Sequence, residues 1–451
     1  MARSTHSTSR VLLCALGALL VLSPACTTQE PPPDYEGGGI VPPGGGGGGG
    51  GGSDGGTDGG LVIPSNGSTF AAKPSCVSGD TACAGACSDG GVLCVGNCGF
   101  LPPVAYAFAG DPHAVVAGDL NGDGRDELVT ANNDGRSVAV LLNRQNGLFE
   151  KPSLWSAGKE PTAVALSDLD ADGRLELLVA NSADSTLGVY RSKGSASFQA
   201  PATYAAAGLN LNDIAVGELT TGSKGVAVIR GADQKLSVFT VKADGTLQTP
   251  AADTAVGSSA YAMVLADFNL DGRPDVALSH ETACASAGDT ACQAVGVLLN
   301  NGDGTFLAQR FTSTGGTPRG LAAARLDTDA LTDLVVADAS RNQVLVLRGK
   351  GDGTFYTPVA YPVGAVPSRL VLADVNKDTL LDVLVTSATG NQVSVLLAQP
   401  GGTFASRVLI NAYPQGLGLQ GLTVSDFDQD GTNDLAVLTS GGIQMLWGLC
   451  R

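Results

Sequence analysis

Short apolar runs separated by polar turns recur along most of this chain. Residues 370–373, 383–386 and 392–397 are three such runs, divided by an acidic loop and a tight turn, and a fourth run begins at Thr403. Apolar runs of this length, bounded by turn residues, are typical of β-strands, whereas a connecting helix would show a longer apolar periodicity. The pattern predicts an all-β fold in which four short strands form one unit.

The four-stranded unit recurs seven times. Its acidic loop begins at Asp119, Asp168, Glu218, Asp267, Arg325, Asp374 and Asp426. Successive loops are 49, 50, 49, 58, 49 and 52 residues apart, and the longest interval contains an insertion bounded by two cysteines. A period of about 50 residues with four strands in each unit is typical of β-propeller blades. We therefore predict a seven-bladed β-propeller over residues 101–451.

The phase of the repeats predicts how the ring closes. The seventh unit ends at Trp447, after its third strand, whereas the apolar segment 103–109 precedes the first unit and has no partner there. Placing this segment in the last blade supplies the missing outer strand and leaves no open sheet edge. A disulfide between Cys98 and Cys450 would clasp the two ends of the propeller at this seam.

The acidic loop carries the candidate chemistry. In the fourth unit, oxygen-bearing side chains occupy positions one, three, five and nine of the loop Asp267–Asp275, and Gly272 occupies position six. Alternating oxygen ligands can converge on one hard cation while a glycine permits the sharp turn. Position twelve is Leu278 and the following residues read as a strand, so the loop joins two strands and is not a helical EF-hand.

Five of the seven loops are predicted to bind Ca2+. Their ligands are Asp119, Asn121, Asp123 and Glu127 in the first loop, Asp168, Asp170, Asp172 and Glu176 in the second, Asp267, Asn269, Asp271 and Asp275 in the fourth, Asp374, Asn376, Asp378 and Asp382 in the sixth, and Asp426, Asp428, Asp430 and Asp434 in the seventh. The sixth loop carries Thr379 in place of the glycine, so we expect weaker binding there. An oxygen-only, flexible ligand set favours Ca2+ over Mg2+. The alternative is a set of Asp-Gly turns that form without an ion.

The remaining two loops have lost part of the pattern. The third, which begins at Glu218, retains no ligand set, and we predict that it binds no metal. The fifth has Arg325 at position one and Ala330 at position six, but it keeps acidic residues at positions three, five and nine. An arginine at the first position can supply positive charge in place of the ion, so metal binding by this loop stays open.

One family resemblance follows from these motifs. The segment from Asn300 to Phe306, then a strand, Pro318 and the acidic loop, resembles the FG-GAP/VCBS-type repeat and is similar to the blades of the integrin α-subunit propeller. The resemblance covers residues 103–449. It implies a seven-bladed propeller with calcium in the loops between the first and second strands. Such propellers serve as adhesion modules, sugar-binding modules and enzyme accessories, so the resemblance alone does not select a function.

The first residues predict export. Residues 1–25 are expected to be a signal peptide, since Arg3 and Arg10 accompany an apolar run that is too short to span a membrane as a helix. The small residues before Cys26 resemble a bacterial lipoprotein cleavage site, which implies that Cys26 is acylated. We expect an outer-membrane or cell-surface lipoprotein that meets the membrane only through its lipid anchor. The alternative is simple secretion.

Two further segments precede the propeller. Residues 26–72 are rich in glycine and proline and are predicted to form a disordered tether. Residues 73–100 contain five cysteines, at Cys76, Cys83, Cys87, Cys94 and Cys98, and are predicted to form a disulfide-bonded segment. Cys284 and Cys292 are expected to pair with each other, which leaves Cys450 for a cysteine of this segment, with Cys98 nearest in sequence. The alternative for the segment is a zinc site.

The net charge and the scarcity of catalytic motifs limit the classes of function that the sequence supports. The formal charge of −17 argues against a nucleic-acid partner. His113, expected in a loop before the first strand, and His280, expected at the end of a second strand, are the histidines beyond the leader. The inner strands read as apolar, without the His, Tyr and carboxylate side chains that an enzyme would place in its channel. We predict a non-catalytic adhesion or recognition module for an extracellular protein or glycan; the alternative is a propeller-type polysaccharide-processing enzyme or its accessory domain.

The face opposite the acidic loops is the predicted binding surface. The insertion at residues 280–293 belongs to a loop between second and third strands and therefore lies on that face. Loops on a rigid scaffold are common binding sites. Arg136, Lys235, Arg319 and Arg341 are expected in neighbouring loops. The alternative is that the insertion is a stable decoration without a binding role.

Overall fold

The computed structural model describes residues 93–95, 98–108, 110–144, 147–206, 208, 210–248, 252–281, 293–411 and 418–450. The predicted signal peptide, the acylation site at Cys26, the tether and most of the cysteine-rich segment lie outside these residues, as do Cys284 and Cys292. The described residues form strands and turns, and they include no helix long and apolar enough to cross a membrane.

Seven four-stranded antiparallel sheets follow one another along the described chain, as the repeat pattern predicts. The first to fourth strands of blades one to three are Pro112–Gly118, Glu127–Asn132, Ser137–Leu141 and Ser153–Ser156; Pro161–Ser167, Glu176–Asn181, Thr186–Tyr190 and Ala202–Ala205; and Leu211–Thr220, Ser223–Arg230, Lys235–Thr240 and Ala252–Ala255. Those of blades four to six are Ala260–Ala266, Asp275–His280, Ala294–Leu298 and Arg310–Ser313; Pro318–Ala324, Asp333–Asp338, Gln343–Leu347 and Val359–Pro362; and Pro367–Ala373, Asp382–Ser387, Gln392–Leu396 and Val408–Asn411.

The seventh blade combines the two ends of the propeller. Its first three strands are Leu419–Ser425, Asp434–Thr439 and Gly442–Leu446, and its outer strand is Val104–Ala107 from the start of the described chain. Val104 pairs with Met445 and Ala107 with Gly442 in antiparallel register. This arrangement confirms the predicted closure of the ring.

A small three-stranded sheet lies next to this seam. It consists of Leu93–Val95, Cys98–Phe100 and Gly448–Cys450, and its register places Cys98 directly opposite Cys450. Directly opposed residues of antiparallel strands have Cα atoms about 4.5–5.5 Å apart, within the range that a disulfide spans. The backbone therefore accommodates the predicted clasp, while the disulfide itself remains a prediction.

The hydrophobic core is divided among the contacts between neighbouring blades. In each of seven clusters, buried Val, Leu, Ile and Ala side chains from one blade pack against those of an adjacent blade. The cluster between the seventh and first blades includes the fully buried Tyr106 and Trp447 beside Leu128. Burying each large apolar side chain contributes about 1.5–3 kcal/mol, so every blade is stabilised mainly by its neighbours.

The first strands of all seven blades line a central cavity of about 370 Å3. The first strands of six blades end at an acidic loop, so these loops lie together at one end of the channel, which we call the acidic-loop face. The turns between third and fourth strands emerge on the same face because the strands are antiparallel. The first strands begin at the opposite end, beside the loops between second and third strands.

Candidate functional site

The first residue of each of the five predicted calcium loops organises the loop around its own carboxylate. In the first blade, Asp119 accepts hydrogen bonds from the backbone N–H of Gly122 at 2.7 Å and of Gly124 at 2.8 Å. The same contact to position six recurs in the fourth blade, where Asp267 accepts from Gly272 at 2.9 Å. The carboxylate thereby closes the backbone turn through its own hydrogen bonds.

Position six adopts the left-handed backbone conformation that the sequence predicts. The glycines there have φ values of 80° to 85°, at Gly124, Gly173, Gly272 and Gly431. Thr379 has a φ of 71° at the same position of the sixth loop, and Ala330 has a φ of 64° in the fifth. A β-branched residue is disfavoured in this region, so the sixth loop carries backbone strain that the glycine loops avoid.

The carboxylate at position nine is buried and joins three segments of its blade. Asp275 is fully buried and accepts hydrogen bonds from Phe268 N–H at 2.9 Å and from Asn300 N–H at 2.8 Å. These donors belong to the acidic loop and to the second residue after the third strand. Asp434 makes the equivalent contacts with Phe427 and Gly448. Position nine therefore has a structural role that the ligand pattern alone did not reveal.

The same burial makes ionisation of these carboxyl groups costly. Burial, opposed by backbone hydrogen bonds and reinforced by neighbouring carboxylates, raises the pKa of Glu127 to about 7. The same causes raise the pKa of Asp275 and of Asp382 to about 6. A nearby cation would favour the ionised form.

Three carboxylates converge in two of the five predicted calcium loops. Oxygen atoms of Asp168, Asp170 and Glu176 lie within 4.8 Å of one another, and so do oxygens of the Asp426, Asp428 and Asp434 carboxylates. Asp170 Oδ1 is buried and has no hydrogen-bond partner among the described residues, although Asp170 Oδ2 is 3.0 Å from Arg191 Nη1. An oxygen-only cluster with an unsatisfied buried oxygen fits a hard cation such as Ca2+.

Asparagine at position three gives the other three predicted loops a different internal contact. Asn121 Nδ2 donates to Glu127 Oε1 at 2.9 Å, and in the fourth and sixth loops the amides of Asn269 and Asn376 donate to the position-five carboxylate at 2.9 Å. Each amide places a donor, instead of an oxygen ligand, toward a neighbouring carboxylate. The amide of Asn269 would have to rotate to direct Oδ1 at an ion.

In the fifth loop an arginine supplies the positive charge, but the residue is Arg348 and not Arg325. Arg325 is exposed. Arg348 follows the third strand, and its Nη1 donates to Asp327 at 2.8 Å and to the buried Asp333 at 2.7 Å. Arg348 also donates to the backbone carbonyl of Gly402 in the next blade. A fixed guanidinium therefore neutralises this loop.

The third blade has replaced the acidic loop with a tight hairpin. Its first two strands extend to Thr220 and from Ser223, so that only Thr221 and Gly222 separate them. Gly222 has a φ of 74°. This geometry leaves no space for a wrapped loop, while the absence of metal binding there stays a prediction.

The structure confirms the predicted placement of His280 and corrects that of His113. His280 ends a second strand as expected and is fully buried, with Nδ1 at 2.9 Å from Ser258 O and Nε2 at 2.7 Å from Gln309 Nε2. Burial, opposed by backbone hydrogen bonds, lowers the pKa of His280. His113 lies in the first strand of blade one and not in the preceding loop, and its Nε2 is 3.0 Å from Asp111 Oδ2.

The channel is more polar than the apolar reading of the inner strands predicted. At the end opposite the acidic loops, each first strand contributes a polar side chain near its start to a recess of about 360 Å3: His113, Thr162, Asn212, Tyr261, Arg319, Arg369 and Gln420. We call this set the channel mouth. Arg319 thus lies in a first strand and not in a loop. The residues differ from blade to blade, so no repeated motif marked them; a polar residue within the first three positions of an apolar strand was the available signal.

The fold and the loops together define a class of protein, a β-propeller of seven blades with an acidic loop between the first two strands of most blades. Residues 119–179, 325–385 and 374–437 match the FG-GAP-like repeat family. The chain therefore contains FG-GAP-like repeats within a seven-bladed β-propeller, as the sequence motifs predict. No curated protein sequence matches the chain significantly.

Solved structures share the fold at low sequence identity. A lectin from Agrocybe aegerita, described as specifically recognising non-reducing terminal N-acetylglucosamine, is 18% identical with a TM-score of 0.51, over 74% of this chain and 87% of that chain. BBS1N, in complex with ARL6DN and soaked with lead, is 14% identical with a TM-score of 0.51, over 76% of this chain and 92% of that chain. These likenesses establish the shared fold.

Proposed function

We propose that this protein is an exported, calcium-binding β-propeller that acts without catalysis as a surface recognition or adhesion module for a protein or glycan, anchored through an acylated Cys26. The observation that carries the calcium assignment is the convergence of Asp168, Asp170 and Glu176, together with the unsatisfied Asp170 Oδ1. Calcium would neutralise carboxylates that otherwise repel one another, and its role would be structural.

A recognition role is supported by where the polar side chains lie. The acidic loops occupy one face, whereas the channel mouth gathers polar side chains from all seven blades at the other. His280 is buried with both ring nitrogens hydrogen-bonded, which suits a core residue better than a catalyst. The lectin named above shows that one protein of this fold binds a sugar.

A polysaccharide-processing activity is the second candidate, and one observation favours it. His113, Asp213 and Tyr261 line the channel, which is where an enzyme of this fold would hold its substrate. Burial raises the pKa of Asp213, opposed by the nearby Arg369, and a protonated carboxyl group there could act as an acid.

A binding screen followed by product analysis separates the two candidates. The propeller would be applied, with calcium, to arrays of glycans and extracellular proteins, and each bound glycan would be incubated with excess protein. Binding without change in the ligand supports recognition. Release of shortened or unsaturated products would contradict the non-catalytic proposal, and the absence of binding to any glycan or protein would contradict recognition.

A further inference from the structure

The channel mouth contains a guanidinium whose hydrogen-bond donors have no partner among the described residues. Arg369 lines the recess and is half-buried, yet its side chain makes no hydrogen bond or ion pair with any residue that the structure describes. A guanidinium presents five N–H donors in a planar fork and stays charged at any physiological pH. Partial burial removes part of the water that would otherwise accept hydrogen bonds from those donors. An anionic ligand could accept these hydrogen bonds in place of the water.

Tyr261 holds Arg369 in place and orients it. The guanidinium carbon of Arg369 lies 5.1 Å from the centre of the Tyr261 ring, and that of Arg319 lies 5.9 Å from the same centre. Both contacts are within the range of cation–π attraction. The aromatic ring therefore positions two cations at one edge of the recess.

The two cations differ in how their charge is balanced. Arg319 Nε donates to Glu281 Oε1 at 2.7 Å, so its charge is already paired. Asp213 lies close enough for its charge to interact with Arg369, but its carboxylate accepts hydrogen bonds from the backbone N–H of Ile214 at 2.9 Å and of Met263 at 2.8 Å. The donors of Arg369 thus remain available for a ligand.

The rest of the recess offers side-chain amide and hydroxyl groups and one imidazole ring. Asn212 Nδ2 donates to Ala260 O at 2.7 Å and Thr162 Oγ1 to Leu211 O at 2.6 Å, contacts that fix both side chains against the next blade. The Asn212 carbonyl oxygen, the Gln420 amide and the His113 ring line the same space. Such groups suit the hydroxyls of a sugar, and about 360 Å3 accommodates a small ligand of one or two rings.

We propose that the channel mouth binds a carboxylate-bearing sugar, a uronic acid residue, with its carboxylate on the Arg369 guanidinium and its hydroxyls on the neutral groups around it. This rests on the proposed recognition function and adds the site and the chemical class of the ligand. A planar carboxylate matches the guanidinium fork through two parallel hydrogen bonds. The acidic loops lie at the far end of the channel, away from this anion.

The test compares two sugars that differ only at C6, where one carries a carboxylate and the other a hydroxymethyl group. D-glucuronate and D-glucose would be titrated into the calcium-loaded full chain by calorimetry, with acetate and inorganic phosphate as simple anions. We expect glucuronate to bind at least about tenfold more tightly than glucose or acetate, since only glucuronate combines charge-assisted hydrogen bonds with ring hydroxyls. Equal affinities for glucuronate and glucose, or tighter binding of phosphate, would overturn the assignment.

Two variants and a matched control locate the site. Arg369→Gln should weaken glucuronate binding by about tenfold or more, and Arg369→Lys, which keeps the charge but loses the fork, should give an intermediate loss. Arg407→Gln removes an exposed arginine elsewhere on the sixth blade and should leave binding unchanged. An equal effect of Arg369→Gln and Arg407→Gln would refute the site.

Failure of this site is distinguishable from failure of the proposed function. If an array ligand binds the Arg369→Gln variant as well as the natural chain, recognition stands and the channel-mouth assignment falls. The melting temperature of each variant in calcium shows whether it is folded, and Arg369→Lys carries the test if Arg369→Gln is not.

Discussion

At the sixth position of the acidic loop, one backbone angle decides which side chain is tolerated. Gly272 has a φ of 82°, and Thr379 has a φ of 71° in the sixth loop. The sequence predicted the sharp turn and weaker ion binding by the loop that carries Thr379. The left-handed region disfavours a branched Cβ, so glycine is the residue expected at this position.

Thr379→Gly should therefore stabilise the protein. Relief of the left-handed strain is worth about 1 kcal/mol, and urea unfolding in calcium would measure the gain. The reverse change, Gly272→Thr in the fourth loop, is the matched control and should cost a similar amount. A loss of stability in Thr379→Gly would show that the turn is not strained.

His280 should make the propeller less stable in mild acid. Its pKa is lowered by burial, so the unfolded chain takes up the proton first as the pH falls below about 6.5. The stability that neutral His280 contributes is present above that pH and is lost as the pH falls through the folded-state value. Free energies of unfolding measured from neutral to acidic pH should fall more steeply for the natural chain than for His280→Gln, and parallel curves would contradict this.

At the scale of one blade, the fifth shows how an acidic loop can be kept without an ion. Arg348 contacts Asp327 and the fully buried Asp333, and it follows the third strand where other blades have Leu142, Leu299 or Leu397. An arginine directly after the third strand, which the second blade also has at Arg191, was the signal in the sequence. The sequence pointed to Arg325 because that residue lies within the loop. Arg348 is distant from the loop in sequence and reaches Asp333 only when the blade has folded.

Removing this cation should destabilise the fifth blade. Arg348→Gln leaves the buried Asp333 without its charged partner, and breaking such a pair costs about 3 kcal/mol. The matched control is Arg325→Gln, which alters an exposed arginine of the same loop and should change stability by less than about 0.5 kcal/mol. Urea unfolding would measure the loss of stability in both variants. Equal losses would contradict the assignment of Arg348 as the residue that neutralises this loop.

The blades themselves were predictable from the sequence, whereas the channel mouth was not. Apolar runs and acidic loops recur with a fixed period because every blade packs against its neighbours in the same way. Thr162, Tyr261 and Arg369 share a place in the ring but no chemistry, so the repeat pattern does not reveal them. Their proximity exists only once all seven first strands surround one channel.

At the scale of the whole molecule, closure of the ring joins residues from both ends of the propeller. The outer strand Val104–Ala107 completes the last blade, and the adjoining sheet sets Cys98 opposite Cys450. Repeat phase alone predicted this seam, since an incomplete last unit and a leftover first strand complete one sheet.

A Cys98–Cys450 disulfide should stabilise the ring by closing nearly the whole propeller. The double variant Cys98→Ser and Cys450→Ser should lose about 2–4 kcal/mol, whereas replacing Cys284 and Cys292, which are close in sequence, should cost less. Mass mapping of a non-reduced digest should recover the Cys98–Cys450 peptide. Recovery of Cys450 as a free thiol would refute the clasp.

Calcium binding is the central claim, and thermal unfolding tests it most directly. Excess chelator should lower the melting temperature because carboxylates such as Asp168, Asp170 and Glu176 would repel one another without a cation. Millimolar calcium should restore the melting temperature, and Asp168→Asn with Asp170→Asn should reduce the size of that recovery. A melting temperature that is the same in chelator and in calcium would contradict the account.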